Sequence, residues 1–319
     1  MNVLITGANG FVGQTLANGL AALLAAGHSP IEIETATLLD IQFDNPAPHP
    51  SFRQVAGSIG DNNLMQKVLA EPFDLVFHLA SIPGGLAEKN YELGRAINLD
   101  ATLVLLESLR NQAKPPVVVF ASTIGVFGAP IPDLVTDDTP ARPNNMSYSA
   151  QKMIGEILID DFSRRGWIDG RSLRLPGIVA RPPAPNGAIS IFMSDLIREL
   201  AAGRPYTCPV SAKATAWLMS ARCIAENLLH ATLLPKEAVE QRRTWMLPVI
   251  RTSMGELVGG IAELFGPETL QRIRYEPIEA VEAVFGRQPP IEVPASEKAG
   301  FRSDGTLKDL ILNALKGSA

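Results

Sequence analysis

The chain has little sulfur, little surplus charge and no long apolar run, and each shortage excludes something. With only two cysteines in 319 residues, Cys208 and Cys223, it has neither a disulfide framework nor a cysteine cluster for a metal, and a reducing, cytoplasmic setting is expected. Four scattered histidines lack ligand spacing, so no metal is expected. The formal net charge of -5 leaves no basic footprint for nucleic acid. No apolar run is long enough to span a bilayer, so no membrane is expected. Met1-Asn2-Val3 runs directly into a strand-like segment, which fits neither a signal peptide nor a transit peptide. Internal repeats and low-complexity tracts are missing too. With 46% apolar and 19% charged residues, what remains is an ordinary globular composition, one large domain or two closely joined ones.

The informative residues begin at the start of the chain. Val3-Leu4-Ile5 reads as a buried strand, and a helical pattern follows through Leu16, Leu20, Leu23 and Leu24. Between them lies Gly7-Ala8-Asn9-Gly10-Phe11-Val12-Gly13. Strand, glycine turn and helix in that order make a dinucleotide-binding unit. Gly7 permits the tight turn, Gly10 lets backbone approach a pyrophosphate, and Gly13 allows close helix packing. Phe11 and Val12 open the helix whose N–H groups face the phosphates. A second strand, Thr37-Leu38-Leu39, ends at Asp40, placed to accept from a ribose 2′-hydroxyl. No cation follows to hold a 2′-phosphate, so the expected cofactor is NAD rather than NADP.

Further strands are expected at Phe52 to Ala56, Asp74 to Ala80, Pro116 to Ala121 and Ser172 to Leu175. Ser58 and Ile59 follow the third strand, where an adenine would rest, and Leu79 and Ala80 close the fourth. His78 reads as a packed residue near that strand's end. Pro83-Gly84-Gly85 marks a loop, and one long helix is expected from Asn90 to Asn111. Inside it Asn98 is either solvated or holds a neighbouring backbone. Ser122 and Thr123 fall at the carboxyl end of the fifth strand, the edge where open parallel sheets bind ligands. Prolines and glycines running to Gly187 mark departure from the sheet domain. The expected fold is α/β: a Rossmann-type, doubly wound parallel sheet with a smaller, discontinuous substrate domain. The boundaries are residues 1–180 and 221–250 for the first domain, and 181–220 with 251–319 for the second.

A proline-rich loop then delivers Tyr148-Ser149-Ala150-Gln151-Lys152. On a helix, residues four apart share a face, so an ammonium stands beside a phenol. At ~4 Å and an effective dielectric of ~20 their attraction is ~4 kcal/mol, enough to lower a phenol pKa by roughly three units. The phenol then serves as a base near neutral pH.

Taken together, Gly7, Gly10 and Gly13, Asp40, His78-Leu79-Ala80, Asn98, Ser122-Thr123 with Val126-Phe127-Gly128, and Tyr148 with Lys152 resemble the extended short-chain dehydrogenase/reductase family, which includes nucleotide-sugar epimerases and dehydratases. The resemblance implies Tyr148 as acid/base and Lys152 as the residue that holds the nicotinamide ribose and tunes the tyrosine. It implies Thr123, with Ser122, as the group orienting the substrate oxygen, and Asn98 among the cofactor-binding residues. Where the epimerases place an asparagine three residues after the strand arginine, this chain has Gly177 after Arg174. The run Arg174 to Pro182, with Trp217 to Ser220 and Asn227 to Ala231, is more similar to the D-erythronate dehydrogenases of that family. These oxidise a four-carbon sugar acid to its 2-keto form with NAD. A free sugar acid needs a cation for its carboxylate, and arginine's planar fork matches it best. Arg174 at the sheet edge, with Arg181 and Lys213 on segments expected to cover it, is therefore expected to serve the carboxylate; the alternative for Arg174 is a structural pairing with a nearby acid. The rivals are an epimerase or dehydratase that recycles its NAD, and a non-catalytic NAD sensor. The apolar residues Met153, Ile154, Ile157, Leu158 and Phe162 on the Tyr148 helix are more than one sheet contact needs, so a homodimer is expected.

Overall fold

The short β-branched and apolar runs of the first half become strands, and the longer periodic stretches between them become helices. The computed structural model describes residues 1–183 and 189–316, so the proline- and glycine-rich stretch expected up to Gly187 lies partly outside the described residues. In chain order the strands are β1 (Asn2–Thr6), β2 (Thr35–Asp40), β3 (Phe52–Ala56), β4 (Leu75–His78) and β5 (Val117–Thr123), then β6 (Val135–Thr136) and β7 (Asp169–Leu175). There follow β8 (Gly177–Val179), β9 (Tyr206–Cys208), β10 (Thr215–Ser220), β11 (Thr244–Met246), β12 (Ile250–Ser253), β13 (Ile273–Tyr275) and β14 (Ile291–Glu292).

The main sheet runs β11-β7-β5-β4-β1-β2-β3. Pairings from β5 through β4, β1 and β2 to β3 are parallel, with Ile5 opposite Leu38 on one side and Phe77 on the other. Such strands are covered on both faces, which is why Val3, Leu4, Ile5, Leu75, Val76 and Phe77 are all fully buried. Chain order reverses between β1 and β4, and ligands bind at such a point, outside the carboxyl ends of the strands. Two compact units result. The first comprises residues 1–129, 141–174 and 225–245; the second comprises 130–140, 175–224 and 246–319.

Residues 130–140, expected with the first domain, group with the second. Their strand β6 pairs with β14, and the Asp137 carboxylate accepts from the Ala295 amide at 2.8 Å and the Ser296 hydroxyl at 3.1 Å. The second unit has its own sheet, β12-β10-β8, and an apolar core around Leu196, Leu218, Leu257 and Ile261. Gly177 lies on β8 opposite Leu218; an added Cβ would meet the Trp217 carbonyl at 2.9 Å, so strand pairing itself requires glycine there.

The expected helix from Asn90 to Asn111 is instead three segments: Tyr91–Arg95, a π-helical turn Ala96–Asp100, and Ala101–Leu109. The wide turn rotates Asn98 into the interior, and such insertions gather where a helix must aim a side chain. The loop expected at Pro83-Gly84-Gly85 opens another short helix, Gly84–Lys89. No helix among the described residues is long and apolar enough to cross a membrane.

Candidate active site

The glycine turn is built by contact as much as by dihedral freedom. Gly7 has φ of 72°, and an added Cβ would lie 2.6 Å from the Ala80 amide nitrogen and 2.9 Å from the Leu79 carbonyl carbon. Leu79 and Ala80 therefore back directly onto the turn. A Cβ at Gly13 would stand 2.1 Å from the Gly7 oxygen, so the helix Phe11–Ala25 can begin this close only with glycine. Gly10 is its N-cap, without a side-chain cap, and no acidic residue stands in the first turn. The nearest atom to a Cβ there would be the Gly7 oxygen at 3.2 Å. This leaves a bare, positively polarised helix end with half-buried Phe11 and Val12 beside it, which suits a pyrophosphate.

Asp40, at the end of β2, accepts from the Asn9 amide at 2.8 Å and the Ile41 amide at 2.7 Å. Its carboxylate has four lone pairs, so it still has acceptor capacity for a ribose hydroxyl. Asp44 adds a second carboxylate, accepting from the Asn9 side chain at 3.0 Å. Two anions at this edge disfavour a 2′-phosphate, and the site fits NAD. Ser58 holds the turn after β3 by accepting from the Gly60 amide at 3.1 Å. Ile59 is buried in the same apolar cluster as Met65 and Val68; beside an adenine it would offer backbone rather than side chain.

Tyr148 and Lys152 lie on one face of the helix Ser147–Arg164. Tyr148 is half-buried, whereas Lys152 is 2% exposed. The Lys152 Nζ stands 4.8 Å from the centroid of the Phe120 ring and 5.9 Å from that of Tyr148. Gly155 makes room for Phe120, since a Cβ there would be 2.5 Å from the ring. Burial lowers the Lys152 pKa to about 7, because the charged form has lost its water. An ammonium this close favours the phenolate over the phenol.

Thr123 ends β5. Its Oγ1 accepts from the Gly125 amide at 3.1 Å, which leaves the hydroxyl hydrogen to be given elsewhere. Gly125 brings this threonine beside the tyrosine helix: a Cβ on it would be 2.6 Å from Ser149 Oγ and 3.4 Å from Thr123 Oγ1.

Three expected site residues are turned to other partners. Ser122 is buried and donates its hydroxyl to Glu156, so that hydrogen is not offered to a substrate. Arg174 gives Nε and Nη2 to the two oxygens of the same Glu156, at 3.0 and 2.8 Å. A bidentate pair this buried takes the planar edge that was expected to bind a carboxylate. Asn98 is 1% exposed and spends its amide inside the protein. It accepts from the Ile82 amide at 2.7 Å and donates to the Ile82 carbonyl at 3.1 Å and to Gln151 Oε1 at 2.8 Å. Arg181 belongs to the second unit and is half-buried.

His78 is fully buried, as expected of a packed residue near the end of its strand. Thr102 donates its hydroxyl to the Asn98 carbonyl at 2.9 Å, so the 2.9 Å contact between His78 Nε2 and Thr102 Oγ1 is an imidazole N–H donating. Nδ1 then accepts from Thr6 Oγ1 at 2.8 Å. Burial first, and the Lys152 charge second, lower its pKa to about 3, so the ring is neutral at working pH.

Glu156 was the residue that sequence reasoning missed. The available signal was a carboxylate one turn beyond Lys152 on a face otherwise buried. Among the described residues no group of three His, Cys, Asp or Glu side chains forms a metal site.

Known proteins place these features in a group. The NAD dependent epimerase/dehydratase family matches residues 3–230. The D-erythronate dehydrogenase of Cupriavidus necator is 36% identical over 98% of this chain and 97% of its own length. That of Haemophilus influenzae is 31% identical over 98% of both. Among solved structures, the nucleoside-diphosphate-sugar epimerase from Agrobacterium tumefaciens superposes with a TM-score of 0.90 at 32% identity, covering 100% of this chain and 95% of that one.

Proposed function

The chain belongs to the NAD-dependent epimerase/dehydratase family and is an NAD-dependent oxidoreductase, and we propose that it oxidises a small sugar acid, D-erythronate or a near relative, to the 2-keto acid. The observation that carries the reading is the half-buried Tyr148 sharing a face with the desolvated Lys152 at the carboxyl edge of the sheet. When bound, NAD supplies the hydride acceptor. Tyr148 Oη takes the proton of the substrate hydroxyl as the C–H bond on the same carbon breaks. Lys152 stabilises the phenolate that must exist beforehand, and Thr123 donates to the substrate oxygen. Gly7, Gly10, Gly13 and Asp40 hold the dinucleotide, with Asp40 and Asp44 turning away NADP.

The substrate class is supported by the two full-length relatives named D-erythronate dehydrogenase. The name of the Agrobacterium structure favours a second reading, epimerisation of a nucleotide sugar with NAD retained. A substrate panel watched at 340 nm separates them. Net NADH from D-erythronate, with none from UDP-sugars, is expected; sugar interconversion without net NADH establishes the epimerase, and NAD binding without turnover a sensor.

The proposal includes a homodimer in the cytoplasm. Ile154 and Ile157 are 40% and 55% exposed on the tyrosine helix, and Leu103 is exposed on the neighbouring helix. A second copy would cover this face. Static light scattering at micromolar concentration should give twice the chain mass; a monomer refutes the dimer.

A further inference from the structure

Tyr148 enters its helix at the second position, among N–H groups that have no partner within the helix. The N-cap, Met146, has no side-chain cap, and no acidic residue stands in the first turn. The missing acceptor comes from elsewhere. The Ser147 amide, immediately before the tyrosine, donates to Glu88 Oε1 on the short helix Gly84–Lys89. That helix starts against the tyrosine: a Cβ on Gly84 would be 2.5 Å from Met146 Cε and 3.6 Å from Tyr148 Cδ1. Just before it, Ile82 is held by Asn98 at both its N–H and its C=O. Segment 82–88 is thus fastened at both ends, by Asn98 and by the Ser147 amide, with its middle along the tyrosine.

We propose that Glu88 is a positioning residue for Tyr148: it caps the tyrosine helix from outside, keeps segment 82–88 against the ring, and by its negative charge raises the pH at which the phenol ionises. The inference rests on the reading of Tyr148 as the base. The charged side chains on its own helix and on the neighbouring helices act differently. On its own helix Lys152 acts in the opposite direction, and Glu156 is neutralised by Arg174. From the segments packed against it, Arg95 is paired with Asp100 at 3.0 Å and Glu107 with Arg110 at 3.0 Å, while Lys89 and Glu92, exposed like Glu88, carry opposite charges and make no bond to the helix end. His78 is neutral, and β5 and the turn Ile124–Phe127 carry no charge. Glu88 is the acidic group bonded to the helix end itself.

The test is Glu88→Gln, which keeps an oxygen for the Ser147 amide and removes the charge. At a separation on the order of 10 Å and an effective dielectric between ~20 and ~80, the phenol pKa should fall by roughly 0.3 to 1.2 units. Two readouts should move together by that amount: the acid limb of the kcat/KM–pH profile, and the phenolate absorbance titration obtained by subtracting a Tyr148→Phe background. Glu88→Ala should also lower Tm by about one to three degrees, as loss of a cap does in a chain of this size, whereas Glu88→Gln should not. If Tyr148→Phe is inactive and the Glu88→Gln profiles superpose on those of the unaltered protein, this inference is overturned while the base assignment stands. If Tyr148→Phe keeps its kcat, the base assignment itself has failed.

Discussion

Lys152 and Glu156 sit one turn apart on the same helix face, and each is 2% exposed, yet the protein treats their charges in opposite ways. Glu156 is saturated: Arg174 grips both oxygens and Ser122 adds a third hydrogen bond. Lys152 is given an aromatic face and a phenol, and among the described residues no carboxylate pairs with it. Burial shifts a charge that lacks an ionic partner, and lowers the ammonium to about 7. A charge that is fully partnered becomes a clasp between helix and strand. The difference separates a group kept reactive from a group kept still, and explains why Ser122 and Arg174, polar residues near the sheet edge, belong with the clasp.

The largest effect expected from breaking this division is at the reactive end. Tyr148→Phe keeps the ring and removes the titratable oxygen, so kcat should fall by ~10²–10⁴-fold while NAD binding, read by fluorescence titration, is retained. A variant with near-normal kcat would take Tyr148 out of the chemistry. At the holding end, Glu156→Gln leaves Arg174 buried without its counter-charge. Unfolding in urea should show a loss of about 3–5 kcal/mol, much of it recovered in the double variant with Arg174→Met, since removing both charges is milder than stranding one. Additive losses would mean that the two residues do not act as a pair.

His78 sharpens the comparison with a smaller, pH-dependent effect. Its folded pKa is about 3, against about 6.5 unfolded. Above pH 6.5 both states are neutral and the group contributes no slope. As pH falls from 6.5 towards 3 the unfolded chain takes up a proton that the folded one refuses, and stability declines, by up to ~5 kcal/mol at the lower end. Unfolding midpoints measured at pH 7, 5.5 and 4.5 should fall in that order, and the slope should flatten in His78→Asn. An unchanged slope in that variant would place the acid sensitivity in other groups.

The parts of the site written in local patterns were legible before any coordinates. The glycine turn, the strand-end Asp40 and the four-residue spacing of Tyr148 and Lys152 each follow from neighbours in sequence, where dihedral preference and helix periodicity suffice. The clasp was not legible in this way. Glu156 and Arg174 lie on different elements, and an arginine leaving the sheet looks the same whether it meets a substrate or an acid. For Asn98 one of the two expected roles, holding a neighbouring backbone, is the one found at Ile82; the π turn that aims it was not legible, because one extra residue in a turn changes which side chain points inward without breaking the apolar pattern on either side. Glu88 was hidden by distance along the chain, since its helix partner stands 59 residues away and the Pro-Gly-Gly before it reads as a loop.

The division itself is tested most directly by Lys152→Met, with activity and stability measured on the same preparation. Met keeps the apolar stem of the side chain and deletes the buried ammonium. The lysine's desolvation penalty is fully present below its folded pKa of about 7 and fades as pH rises towards ~10.5, where the unfolded lysine also loses its proton. The expected result is a fall in kcat/KM of at least ~10²-fold together with a gain in urea stability at pH 7 that shrinks by pH 10. Near-normal kcat/KM, with stability lost equally at both pH values, would contradict the account and make Lys152 one more structural residue of the helix.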